Sequence, residues 1–460
     1  MLAVPDNDRE RAEFVRKVIN EHKSSDLYQT AVIADEYDRC RNRTIMQYEK
    51  TLVNVKGQAI RDEWSPNHKS TSNYFNVFVT QLNQYLLANG VSWKDEATGK
   101  KLGVDFDTRL QQAGKAALCG GVSFGFFNLD HLEVFSVLQF APLYDEENGA
   151  LAAGVRFWQI DSDKPLRATL YELDGYTNYL WQKDAKKAPD ERFWARIGDE
   201  VYTQDKKPYM LKIRESEADG AEIYDGENYP TFPIIPLWGN PHHQSELVGM
   251  REKIDAYDLI LNGYENDLDN AQILWVIKGA SGLTADDKTG LLQFLDELRR
   301  FGGVAVGEDQ SVDPVTVSIP YEARITLLER LEKQLYKDAM ILNPNDLASS
   351  AATATQIRAA YEPQNVKTDQ YEYCIIEFIQ GILAIAGIED DPTFTRSQIV
   401  NVQEEIQTLV TAASYLGSEY VTRKALELMG DGDKAEEVLK QADAEAAERM
   451  GSMVTDDEES

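Results

Sequence analysis

Apolar residues recur at intervals of three and four through Leu247, Met250, Ile254, Tyr257, Leu261, Tyr264, Leu268 and Ala271. That spacing is one narrow stripe on a helix. It predicts a helix over residues 246–271, about 39 Å long at 1.5 Å per residue. The other positions are charged or amidated: Glu252, Lys253, Asp255, Asp258, Asn262, Glu265, Asn266, Asp267, Asp269 and Asn270. A long helix with so thin a stripe packs along one partner and leaves its remaining surface to water or to other subunits. The partner is close in sequence. Tyr321, Ile325, Leu328, Leu331, Leu335, Ala339 and Leu342 repeat the helical spacing, behind Pro320, whose missing N–H costs little at a helix start. Between the two helices, residues 273–278 suit a strand. Residues 284–300 suit a helix with Thr284 and Asp287 spaced as a capping box and Gly302–Gly303 as its stop. Residues 304–306 and 315–319 suit further strands. The pattern is two long helices carrying a small α/β tip.

The remaining chain divides by period. Helices are expected over 8–22, 26–43, 74–88 and 106–118, with a strand near 48–55. The third of these helices ends at Asn89-Gly90 and the fourth at Gly120-Gly121. From 122 to 224 the period falls to two, in runs broken by DEENG, SDKP and DGY turns. A loop of small and polar residues follows at 343–355. Then come a helix at 356–387 interrupted at Pro363, charged helices over 397–450 and an acidic, disordered tail at 451–460. The fold class is α+β.

With 460 residues the chain has room for two or three domains and a sizeable core. Its formal net charge of −31 argues against gripping nucleic acid in a basic groove, though not against a passage through which DNA slides. Cys40, Cys119 and Cys374 are scattered and odd in number, the usage of reduced, buried thiols in an intracellular protein. Residues 1–11 are polar and do not resemble a signal peptide. The longest apolar run, 374–388, contains Glu377 and is too short to span a bilayer.

The chemical motifs are few. Residues 97–101 (ATGKK) have the composition of a phosphate loop without its spacing, and a hairpin turn is expected there. His242-His243 has no accompanying ligand set. Asp267 with Asp269, or Asp390 with Asp391, reads as a solvated acidic face before it reads as a cation site. Gly121-Val122-Ser123-Phe124-Gly125 fits G-x-S-x-G, but here a helix precedes the serine and a strand follows it. A nucleophile elbow needs the reverse order. A serine hydrolase using Ser123 and His131 is therefore disfavoured, and no catalytic residues, metal or cofactor are expected.

Four phrases, in order, carry a family resemblance. They are NYFNVFVTQLNQYLLANGVS at 73–92, LQQAGKAALCGGVSFGFFN at 110–128, PIIPLWGNPHHQSEL at 233–247 with Lys253, Tyr257 and Asn266 beyond it, and the Ser/Ala-rich start of the helix at 351–358. Together they resemble the portal proteins of tailed bacteriophages, of the type found in siphophages of Gram-positive hosts, nearly end to end. The family usually has two adjacent asparagines before its first stem helix, where this chain has Asn240 alone.

The resemblance implies a portal fold. Residues 1–245 and the long helix and connector at 356–396 would form the wing, 246–272 and 321–342 a two-helix stem, and 273–320 a small α/β clip. Residues 343–355 would be a tunnel loop and 397–450 a helical crown. It implies a homo-oligomeric ring, usually a dodecamer, at one capsid vertex of the virion, assembled in the host cytoplasm. DNA would pass in packaging and ejection. The large terminase subunit, a head-completion adaptor, and the major capsid and scaffold proteins would be partners, with no membrane. On this reading Leu247, Ile254, Tyr257, Leu261, Tyr264, Leu268, Ile325, Leu328 and Leu335 pack the stem. Arg330, Lys333 and Lys337 are candidates to touch DNA, although the same residues are spaced to pair with Glu329 and Glu332 on a wet face. Asn345, Asp346, Ser349 and Ser350 would lie in the tunnel loop, and Lys288, Arg299 and Arg300 would meet the adaptor at the clip. A head–tail connector ring is the alternative, disfavoured by length.

Overall fold

In a computed structural model the described residues are 4–53, 57–63, 65–184, 189–215, 222–270, 274–278, 311–315, 321–347, 354–397, 402–413, 415–429, 435 and 438–441. The N-terminal part supplies helices α1 (Asp8–Ser24), α2 (Asp26–Asp38), α3 (Arg43–Gln47), α4 (Tyr74–Leu87), α5 (Glu96–Leu102) and α6 (Phe106–Gly120). Among them lie a short hairpin, β1 (Thr51–Val53) with β2 (Ala59–Arg61), and β3 (Val91–Ser92). The middle of the chain is antiparallel sheet. Strands β4 (Val122–Asn128) and β5 (His131–Ser136) form a hairpin, and β14 (Ile234–Trp238) returns to pair with β4. Strands β6 (Phe140–Tyr144), β7 (Leu151–Trp158), β8 (Leu166–Glu172), β9 (Gly175–Trp181), β10 (Ala195–Arg196) and β11 (Val201–Thr203) make a six-stranded sheet in the order β10-β11-β9-β8-β7-β6. A separate hairpin joins β12 (Met210–Glu215) and β13 (Glu222–Glu227).

Two helices follow as an antiparallel pair, α7 (Arg251–Asn270) and α8 (Tyr321–Ala339). Between them β15 (Leu274–Lys278) pairs with β16 (Ser311–Val315). The last helices are α9 (Ala354–Ala386), α10 (Val402–Ala412) and α11 (Ser418–Met429), and β17 (Thr393–Phe394) pairs with β3.

Among the described residues two main cores hold these layers, with a small third cluster of Tyr85, Leu342 and Tyr361. The larger joins α4, α6, the β14-β4-β5 sheet and α9, with Phe75, Leu86, Phe124, Phe135, Ile375 and Phe378 all buried. Gly125 lets α9 approach β4 closely, since a Cβ there would lie 2.4 Å from the Phe378 ring. In the smaller core Ala12, Val15 and Ile19 of α1 cover Val155, Phe157 and Tyr179 of the six-stranded sheet.

Several expectations change. The long helix begins at Arg251, because Gly249 at φ +83° turns the chain just before it. Its 20 residues span about 30 Å. The second helix of the chain stops at Asp38, ahead of Cys40 at φ +56°, and Arg43–Gln47 is a helix of its own. Residues 96–102 are a helix and not a hairpin turn: Asp95 caps it by accepting from the Ala97 N–H at 2.9 Å, and Gly103 ends it at φ +100°. α8 stops at Ala339, before Met340 at φ +54°. α9 runs through Pro363 without a break. A proline inside a helix costs about 3 kcal/mol, and here buried residues on both sides, from Tyr361 to Leu383, outweigh it. A strand is present at Ser311–Val315, where Pro314 takes an edge position opposite Trp275, while residues 316–319 of the strand expected at 315–319 fall outside the described residues. The helix expected at 284–300, the strand at 304–306 and the tail at 451–460 fall outside the described residues.

Candidate functional site

The antiparallel helix pair is held at both ends by charge. Lys253 bonds Asp338 near the core and keeps that carboxyl below its usual range. Arg324 reaches Asp267 at 2.6 Å at the far end and stands over the Tyr264 ring. Apolar packing is one-sided along the length. Leu247, Met250 and Ile254 join the larger core with Leu335 and Ala339. Tyr257 meets Tyr74 edge-on at 5.1 Å, and Tyr336 meets Phe78 at the same distance. Further out Leu261, Tyr264 and Leu328 are half-buried. At the far end Leu268, Tyr321, Ile325 and Leu327 are 48%, 54%, 42% and 44% exposed. The apolar stripe does close the pair near the core, but the outer half stays open in a single chain.

Where the pair meets α9, one ion pair ties three segments. Lys367 reaches Glu246 at 2.6 Å and donates to the Ala339 carbonyl at 2.9 Å, which satisfies an orphan group at the end of α8. Glu246 also accepts from Asn240 at 2.8 Å. Asn240 takes the His242 N–H as well, so this one asparagine organises the loop before the helix.

Part of the charged and amidated face of α7 is not wet. Asp258, Asn262 and Asn266 are 0%, 2% and 3% exposed. Each accepts a main-chain N–H from the extended segment 66–72: Ser72 onto Asp258 at 2.9 Å, Ser70 onto Asn262 at 2.7 Å and His68 onto Asn266 at 2.9 Å. Asn262 also donates to the Ser70 carbonyl at 2.7 Å, as a neighbouring strand would. Asn42 donates to Asp258 from the start of α3, and Thr44 and Tyr37 donate to Asp255. Burial pushes the Asp258 carboxyl above its usual value, against the pull of the Asn42 and Ser72 hydrogen bonds. The reading of these positions as solvent-facing is therefore corrected. Three Asx residues at intervals of four on one face were the available signal.

Arg330, Lys333 and Lys337 come together on the exposed face of α8, with Thr326, Glu329 and Gln334, around a shallow depression of about 360 Å³. Among the described residues none of the three cations is in an ion pair, with Glu329, Glu332 or any other carboxylate. Asn345 is exposed in a 3-10 turn, Pro344–Leu347, and its N–H is taken by the Asn343 side chain at 3.0 Å. The backbone of Asp346 lies in the same turn. Ser349 and Ser350, and Lys288, Arg299 and Arg300, lie outside the described residues.

Other candidates resolve structurally. Ser123 is buried and donates to the Ala113 carbonyl at 2.8 Å, and it pairs across β4–β5 with Ser136 while His131 sits at the opposite end of that hairpin. Asp269 meets His68 at 2.6 Å, and Asp390 accepts from Thr98 at 2.7 Å, so these carboxylates serve as protein partners. The three cysteines are free. Among the described residues no cluster of His, Cys, Asp or Glu could hold a metal ion, and no helix is long and apolar enough to cross a membrane.

A family model described as "Phage portal protein, SPP1 Gp6-like" matches residues 5–452. Among curated proteins, the portal protein of Bacillus phage SPP1 is 25% identical over 439 residues, covering 86% of this chain and 79% of that protein. The portal protein of Clostridium phage phiCD119 is 24% identical over 209 residues, 42% of this chain and 45% of that protein. Among solved structures, a chain from the virion of a native gene transfer agent particle aligns with a TM-score of 0.44 at 13% identity, covering 77% of this chain and 89% of that one. A chain from the neck of the native particle gives a TM-score of 0.41 at 13% identity, covering 76% and 88%.

Proposed function

The chain belongs to the SPP1 Gp6-like family of phage portal proteins, which form the non-enzymatic portal ring at a capsid vertex, and from that premise we propose how its parts divide the work. α7 and α8 are the stem, and residues 273–320 are the clip, on which Lys288, Arg299 and Arg300 meet a head-completion adaptor. Residues 1–245 with 356–396 are the wing, 343–355 the tunnel loop and 397–450 the crown. The ring contains twelve copies and assembles in the host cytoplasm with the major capsid and scaffold proteins. The large terminase subunit docks on it to drive DNA inward.

One observation carries the channel assignment. In a chain of net charge −31, α8 presents Arg330, Lys333 and Lys337 on one face, none of them in an ion pair among the described residues. Repeated around a ring, such a face gives weak, sequence-blind contacts to phosphate, while the acidic remainder keeps the duplex from sticking. The residues opposite that face anchor the helix in the subunit core, so the cations are held facing outward. The tunnel-loop residues Asn345, Asp346, Ser349 and Ser350 are short and polar, suited to touching a moving backbone without fixing a register.

The test is the double variant Lys333→Glu, Lys337→Glu in an in vitro packaging assay. Rings of normal size that package DNA several-fold more slowly, most visibly at low salt, support the assignment. Packaging at the wild-type rate and with unchanged salt dependence removes these residues from the channel.

A further inference from the structure

We propose that the segment 66–72 and the polar face of α7 form one cooperative latch, which fastens the long helix to the α2–α3 corner and opens as a unit. This inference is independent of the channel assignment. The segment belongs to no helix or sheet. Alternate main-chain N–H groups of the segment are satisfied by side chains of α7. The N–H groups of His68, Ser70 and Ser72 end on Asn266, Asn262 and Asp258, while those of Lys69 and Thr71 have no partner among the described residues.

The register follows from two repeats. Two residues of extended chain advance about 6.6 Å, and four residues of helix advance about 6.0 Å. Alternate amides therefore stay level with every fourth helix residue over three rungs, and the mismatch accumulates slowly. Hydroxyl and imidazole contacts flank the ladder: Ser70 donates to Glu265 at 2.8 Å, and the His68 ring meets Asp269 at 2.6 Å.

Cooperativity comes from burial. Opening one rung alone would leave a buried amide or carboxylate of α7 facing an unpaired main-chain group, which costs more than an ordinary hydrogen bond is worth. Opening all three lets water reach every group at once. The latch also extends past the segment. Asn42 donates both to Asp258 and, at 3.1 Å, to the Ser72 carbonyl. Asn42 is at the same time the residue whose carbonyl accepts the Met46 N–H at 3.1 Å in the first turn of α3. Tyr37 and Thr44 hold Asp255, about one helical turn from Asp258. A displacement of α7 thus carries the α2–α3 corner with it until the latch opens.

Residue-resolved hydrogen exchange on the full-length protein tests this. In the wild type, amides 68, 70 and 72 should exchange slowly at one common rate, with 69 and 71 fast between them. In Asn262→Leu, the exchange of 68, 70, 72 and Met46 should rise together, by about tenfold or more, as expected when a buried group loses its partner. Asn266→Leu, at the end of the ladder, should give the same joint rise on a smaller scale, and serves if Asn262→Leu does not fold. No alternation in the wild type, or acceleration confined to the amide whose own partner was removed, would overturn the proposal.

Discussion

The two halves of the α7–α8 pair are built from one apolar pattern and end in opposite states. Near the core, Leu247, Met250, Ile254, Leu335 and Ala339 are buried, backed by α4 aromatics and by the Lys367–Glu246 pair. At the far end, Leu268, Tyr321 and Ile325 continue the helical spacing with substantial exposure, and Leu327 is exposed beside the stripe. The near half is complete within one chain. The far half carries apolar surface that one chain does not cover, which is the composition expected of a surface completed by neighbouring copies in a ring. The same repeat of threes and fours marks a subunit core at one end and, on the proposed ring, would mark an inter-subunit seam at the other.

Substitutions should separate the halves by what they damage. The largest effect is expected from Ile254→Asp, which buries an unpaired carboxylate in the main core at a cost on the order of several kcal/mol. Little soluble, folded protein should be recovered, and a normal melting transition would mean the near half is not part of the core. Next is Lys367→Met, which leaves Glu246 and the Ala339 carbonyl without their shared cation. The pair is largely but not wholly buried, so a loss of about 2–3 kcal/mol is expected, measured by chemical denaturation. A change under about 0.5 kcal/mol, the range of an ordinary surface substitution, would make the junction incidental. On the far half, Ile325→Asp should leave the subunit's own stability within that same range, because the side chain already meets water in a single chain.

What the sequence made legible follows the same division. The apolar spacing of α7 and α8, the helix stop at Gly121 and the period-two runs of the sheets announced themselves, because each is a local pattern written in side-chain type. The ladder did not. Asp258, Asn262 and Asn266 are polar, and polar residues opposite an apolar stripe read as solvent-facing; only the distant segment 66–72, 186 to 198 residues away in sequence, makes them buried partners. The helix at Glu96–Leu102 was hidden behind Gly99 and a phosphate-loop composition, with its cap at Asp95 the overlooked signal. α9 was cut at Pro363 by a local rule that tertiary burial overrides. The three cations of α8 were visible as a spacing. That Glu329 and Glu332 leave them unpaired depends on side-chain geometry that spacing does not fix.

We infer that the far half of the helix pair is finished by neighbouring copies. Light scattering of purified wild type and Ile325→Asp, paired with the melting curve of each, tests it most directly. The account predicts a wild-type mass many times that of one chain. It predicts an Ile325→Asp protein that melts like a folded subunit yet stays at or near single-chain mass. Wild-type-sized rings from Ile325→Asp would show that the exposed half is not the seam, and would contradict the account.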